Sequence, residues 1–154
     1  MAAWMGRVTG PSTRTLTFDQ LDPATAYAVW RLRQDVFVVE QDCPYPDLDG
    51  RDDEPGTRHV LLEDDGALLG YARVLDDDEV WRVGRVVLAR PARGQGLADV
   101  VLQAALEACP GRDVVLDAQS PLAAWYGGHG FAVDGAEFLE DGIPHLPMRR
   151  SNKM

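Results

Sequence analysis

From Leu88 to Val101 the chain reads LARPARGQGLADVV: a strand-like apolar run gives way to two arginines and two glycines, then resumes with helical spacing. A strand that turns into a helix in this way leaves the first helical N–H groups without intrahelical partners. The positive end of the helix dipole adds to them, and Gly94 and Gly96 let a bulky anion approach the backbone where a Cβ would obstruct it. Arg90 and Arg93 bring positive charge alongside. Such a set could hold a phosphate or pyrophosphate. It is not a P-loop, because no Gly-Lys-Ser/Thr follows, and it lacks the third glycine of a dinucleotide fingerprint. Glycines that merely tighten a turn beside solvated arginines would give the same letters, so the turn alone leaves both readings open.

A second concentration of chemistry lies in DCPYPDLDGRDDEPGTR, residues 42–58. Its acids Asp47, Asp49, Asp52, Asp53 and Glu54 could draw a cationic amine toward a cleft, or could be solvated surface charge. A calcium loop starting at Asp47 would need glycine at 52 and glutamate at 58. Those positions hold Asp52 and Arg58, which excludes it. Cys43 and Cys109 form neither a metal-ligand spacing nor a disulfide framework, and the expectation is no metal.

The elements that must position these groups follow from pattern. At 154 residues and 45% hydrophobic content the chain suits one globular domain, expected over 13–150, with tails at 1–12 and 151–154. A formal net charge of −10 argues against nucleic acid or an anionic membrane as partner. No run is long and apolar enough to span a bilayer or to direct export, so a cytoplasmic location is expected. RTLTFDQL alternates as a strand. Asp22 and Pro23 then open a helix expected over about 23–38. HVLLEDDGALLGYARVL is a hairpin around Asp-Gly, EVWRVGRVVLA a further strand, and the helix after Gly96 ends at Pro110-Gly111. DVVLDA, a short helix in PLAAWYGGHG and a final strand pair complete the order β-α-β-β-β-α-β-α-β-β. That order implies an α/β fold, with a mixed sheet and helices on both faces.

Arg93-Gly94-Gln95-Gly96-Leu97-Ala98 resembles the arginine/glutamine-x-x-glycine-x-glycine/alanine signature of the GNAT superfamily of acyl-CoA-dependent N-acetyltransferases. The stretch from Gln119 through Tyr126 to Gly130-Phe131 is similar to the second signature, although Gln119 stands where asparagine is usual. VFVVEQDCPYPDLDG, GRVVL and EDGIPHLPM together resemble the ElaA-like branch, so the likeness extends from about residue 15 onward. The resemblance implies the GNAT fold, a mixed central sheet whose two central parallel strands splay apart to admit acetyl-CoA. It implies that residues Gly94, Gln95, Gly96, Leu97 and Ala98 offer N–H groups to the pyrophosphate, with Arg93 alongside and Gln119 near. The edge of Val86, Val87 and Leu88 would pair with the pantetheine arm.

Acetyl transfer to an amine needs a proton removed, since an alkylammonium of pKa near 10 is deprotonated only about once per thousand molecules at neutral pH. The departing thiolate also gains from an acid. Tyr126 matches the family's general-acid position. The strand EVWRVGRVV lacks the acidic residue many members use as base, which leaves Glu40, Asp117 or water. The acceptor, a small or peptidic primary amine, is expected among Arg33, Phe37, Glu40, Gln41, Tyr45 and His145. His145 could equally be structural, as His59 and His129 are expected to be. Self-association into a homodimer is left open. Competing readings are a non-catalytic acyl-CoA sensor and an acyl-homoserine-lactone synthase.

Overall fold

The structure, a computed structural model, describes residues 10–152. Strand β1 (Ser12–Leu16) begins inside the stretch expected as tail, because its whole length pairs antiparallel with His59–Glu63 of β2 (Arg58–Asp64). The rest of that tail, residues 1–9, and residues 153–154 lie outside the described chain.

Helix α1 (Pro23–Arg33) starts where the sequence places it, with the Asp22 carboxylate accepting from the Thr25 N–H at 2.7 Å and Pro23 at the first position. It does not end near 38 as an α-helix. From Gln34 to Glu40 the coil widens to π geometry, with Gln41 N–H donating to the Val36 carbonyl and Cys43 N–H to that of Val38. The β-branched Val36, Val38 and Val39 crowd a tight α-turn, and the wider one carries Glu40 and Gln41 onto the wall of a cavity described below.

Hairpin β2–β3 (β3, Ala67–Asp77) turns at Asp65-Gly66, and the last hairpin, β7 (Phe138–Glu140) to β8 (Ile143–Arg150), turns at Asp141-Gly142. All four turn residues have φ between 51° and 81°, the geometry that asparagine, aspartate and glycine tolerate best. Strand β4 (Val80–Leu88) leads through the glycine turn into α2 (Leu97–Glu107), which crosses to β5 (Val114–Gln119). After β5 come α3 (Ala123–Gly127) and the two-residue β6 (Ala132–Val133). The sheet order is β1-β2-β3-β4-β5-β8-β6, with β7 also beside β8. Every pair is antiparallel except β4 with β5. One short strand more than the sequence suggests appears near the C-terminus.

Alternation along β2 divides the core. Val60 and Leu62 pack with Val101, Leu102 and Ala105 of α2 on one face, whereas Leu61 joins Val29 of α1, Tyr71 and Val87 on the other. The sheet is thereby fixed between α1 and α2, and the functional groups gather where its middle opens.

Candidate functional site

The opening arises between β4 and β5. Only Trp81 with Val114 and Arg82 with Val115 pair across them, although both strands continue. Against β3, the register steps from Tyr71 opposite Val87 to Arg73 opposite Gly84, so β4 carries one extra residue there. Arg85 sits at that bulge with φ 54°. A bulge bends and over-twists its strand, and here it turns the end of β4 away from β5. Ala89 N–H donates to the Leu69 carbonyl on the β3 side. By alternation, the backbone groups of Val86 and Leu88 face the opening and those of Val87 face β3.

A cavity of about 660 Å³ fills the opening. Its walls include Val86, Val87, Leu88, Arg93, Gln119 and Tyr126, and across from them Phe37, Glu40, Gln41, Tyr45 and His145. Gly94, Gln95, Gly96, Leu97 and Ala98 form the turn and first helical residues beyond Arg93, outside the cavity wall. Gly94 and Gly96 have φ of 79° and 76°, and a Cβ at either would meet nothing within 4 Å. Backbone conformation, not internal crowding, therefore demands glycine, and the space before the α2 N-terminus is clear for an anion. Gly96 is the helix cap and offers no side chain to the free N–H groups. Asp99, in the first turn, is engaged by Trp125 Nε1 at 2.8 Å and His129 Nε2 at 2.7 Å.

Tyr126 is 7% exposed and packs edge-on against Trp125 and Phe131. Burial pushes its hydroxyl up to about 12, so it keeps its proton at neutral pH. Glu40 fits the expected role of base poorly. Arg93 grips it through Nη1 at 2.7 Å and Nη2 at 2.9 Å, and Arg90 lies 3.5 Å away. Those hydrogen bonds hold the carboxyl below the usual carboxylate range and make it a weak proton acceptor. Arg93 also donates to the Leu88 carbonyl from Nε and Nη2, so Glu40 and β4 together orient it.

Arg33 does not line the acceptor space. It is fully buried: Nε meets Asp47 at 2.9 Å, Nη1 meets Asp52 at 2.6 Å, and Trp30 and Tyr71 flank its guanidinium. Burial opposes charge on this group, but the two carboxylates outweigh it and raise its affinity for the proton. Of the loop acids, Asp53 is exposed and Glu54 pairs with Arg51 at the surface, whereas Asp47, Asp49 and Asp52 are neither solvated charge nor free bait for an amine. Arg73 chelates Asp49 with both Nη atoms at 2.8 Å and reaches Asp52 at 3.2 Å, while Arg85 Nε lies 2.9 Å from Asp47. Tyr45 closes the set with its hydroxyl 2.5 Å from Asp47, and burial pushes that phenol's pKa up. Three arginines thus neutralise Asp47, Asp49 and Asp52. Among cavity carboxylates, Asp117 lies 3.7 Å from Arg82, and Glu140 lies 3.9 Å from His145 Nε2. Cys43, Arg73, Arg82, Arg85 and Glu140 are wall residues that sequence reasoning missed. Arginines recurring inside the otherwise apolar YARVL and VWRVGRVVL were the available signal.

Residues 33–152 match the family described as Acetyltransferase (GNAT) domain. This chain is a member of the GNAT acetyltransferase family. Its ElaA-like branch is supported by relatives over most of the length. The UPF0039 protein Rv2851c of Mycobacterium tuberculosis is 47% identical over 135 residues, covering 84% of this chain and 86% of the relative. Protein ElaA of Escherichia coli K12 is 39% identical over 142 residues, covering 88% and 93%. Among solved structures, an acyl-CoA N-acyltransferase from Pseudomonas aeruginosa superposes with TM-score 0.87 at 39% identity, covering 92% of this chain and all, 100%, of that one. The splayed mixed sheet of this GNAT chain is the acyl-CoA N-acyltransferase fold. No helix among the described residues is long and apolar enough to cross a membrane.

Proposed function

We propose that this chain moves an acetyl group from acetyl-CoA to a primary amine by direct attack. The observation that carries the reading is the opening between β4 and β5, with the glycine turn at the start of α2 near Arg93 and Tyr126 on its wall. Bound there, acetyl-CoA would supply the thioester that is cleaved. The N–H groups of residues 96–98 suit its pyrophosphate, and the gap-facing backbone of Val86 and Leu88 suits an amide-bearing arm, a strand-like partner for an open edge. Tyr126 donates a hydrogen bond where thiolate charge develops. Asp117 and Glu140, not matched one-for-one by close cations, favour an acceptor that arrives positively charged.

A thiol-release assay with acetyl-CoA across amines, amino acids, polyamines and N-terminal peptides tests the reading. Turnover on at least one is expected. Coenzyme A binding with turnover on none would replace the enzyme by a sensor.

Two variants probe the cofactor side. Gly96→Ala and Gly111→Ala both place an alanine at φ 76°, which costs each about 1–2 kcal/mol of strain. Only the first puts a methyl group before the α2 N–H groups. Losing one charge-assisted hydrogen bond there, about 1.5 kcal/mol, should weaken coenzyme A binding about tenfold by calorimetry, with Gly111→Ala unchanged. Glu40→Gln releases Arg93 from its ion pair. Turnover within about threefold of wild type is expected, against the 10²-fold loss that removing a base would bring.

A further inference from the structure

Resting on the transferase reading above, we propose that His145 takes the proton from the acceptor amine, with Glu140 beside it to hold the imidazolium that forms. His145 is 8% exposed yet stands on the cavity wall. Its Nδ1 lies 2.7 Å from the Ile143 carbonyl oxygen. A carbonyl can only accept, so Nδ1 carries the hydrogen of the neutral ring and Nε2 keeps its lone pair. Phe138 stacks on the ring at 5.7 Å and 24°, which holds it in plane. Nε2 then faces Glu140 Oε2 at 3.9 Å, too far for a hydrogen bond to the neutral ring but close enough to stabilise a positive one. A base oriented by one group and steadied by another is the arrangement that proton transfer needs.

Placement agrees. His145 lies opposite Gln119 in the β5–β8 register, so both side chains share a sheet face with Asp117. Gln119 in turn meets Gln41 at 3.3 Å. Tyr126 belongs to the core on the opposite, α2 face and meets the same cavity through the strand opening. The proton acceptor and the thiolate's donor therefore reach one cavity from opposite faces of the sheet. Glu140 is the charged group beside the ring, and the cavity wall it shares also carries Glu40, Asp117, Asp141, Arg82, Arg85 and Arg93, with Arg82 occupied by Asp77 at 2.8 Å.

The atoms balance. The ammonium gives one proton to His145 Nε2, and the neutral nitrogen attacks the thioester carbonyl carbon. The C–S bond breaks with its electron pair on sulfur, and the second amine proton ends on that thiolate through Tyr126 or solvent. The imidazolium passes its proton to water at the exposed Glu140.

The test uses the full chain and an amine that wild type turns over. His145→Gln, which can still donate to the Ile143 carbonyl, should melt like wild type and bind coenzyme A as tightly. Turnover should fall about 10²-fold or more. In His145→Ala, added imidazole should restore part of the rate. Independently of turnover, ¹⁵N NMR of the neutral imidazole should show hydrogen on Nδ1 and a bare Nε2. The opposite tautomer, or His145→Gln at near wild-type rate, overturns the assignment. If wild type turns over no amine, the transferase reading fails and this inference falls with it, whereas turnover without dependence on His145 leaves that reading standing.

Discussion

Tyr126→Phe is expected to cut turnover about 10²-fold or more while coenzyme A affinity and melting temperature stay close to wild type. The ring is the packing element: it wedges against Trp125 and Phe131, and phenylalanine keeps both contacts. Only the hydroxyl is lost. Because burial holds that hydroxyl's pKa near 12, it is a donor throughout the working pH range. The variant's rate should therefore fall by a similar factor from neutral to mildly alkaline pH. Steady-state kinetics at three pH values, with calorimetry on the same samples, checks it. A wild-type rate in Tyr126→Phe would mean that the thiolate leaves with help from water alone.

Arg33→Met should destabilise the fold strongly. Methionine fills much of the space between Trp30 and Tyr71, so little packing is lost and the electrostatic consequence is isolated. Asp47 and Asp52, both buried, would lose their shared cation. Breaking a buried pair on one side costs about 3–5 kcal/mol. Arg73 and Arg85 still touch the same carboxylates, which argues for the lower end, about 3 kcal/mol. Urea denaturation read by tryptophan fluorescence measures it, and proteolysis should locate the loosened segment at 41–57.

The same cluster sets a direction for pH. Burial works to raise the Asp49 carboxyl, but hydrogen bonds and charge from Arg73 overcome it and leave it well below the ordinary 3.8. Burial depresses His59, which stays neutral with Tyr71 and the Asp52 carbonyl as partners. In both cases the unfolded chain binds protons more readily than the folded one, so stability is full above the unfolded values and is lost as pH falls. Melting temperature should begin to drop below about pH 6.5 through His59 and drop further toward 3.8 through Asp49.

Features made by neighbouring residues could be read in the sequence. Asp22-Pro23 announces α1, Asp65-Gly66 announces its hairpin, and Gly94-Gln95-Gly96 announces the turn into α2. Tyr126 was reachable through the spacing of its signature. What escaped depends on partners remote in sequence. Arg33 looked like a wall residue because nothing local says that Asp47 and Asp52, 14 and 19 residues on, fold back over it. The opening of the sheet was expected only through the family resemblance, because it is a relation between strands, set by an extra residue at Arg85 that no single-strand pattern reveals. For His145, the letters gave a titratable ring on the wall, but its usable nitrogen is chosen by the Ile143 carbonyl.

The 41–57 loop separates two jobs along its length. Cys43 and Tyr45 face the cavity, while Asp47 and Asp52 fasten the segment to α1 and the sheet. Asp42, Pro44 and Pro46 between them are exposed. Innovation and integrity are thus carried largely by different residues of one segment, with Tyr45, bonded to Asp47 and facing the cavity, serving both. A lineage, or a laboratory library, can retool the pocket by changing positions 42–44 and 46 while the arginine clasp keeps the loop seated. Such a catalyst can acquire new acceptors in single steps without passing through unfolded intermediates, provided Arg33 and its two aspartates are left alone.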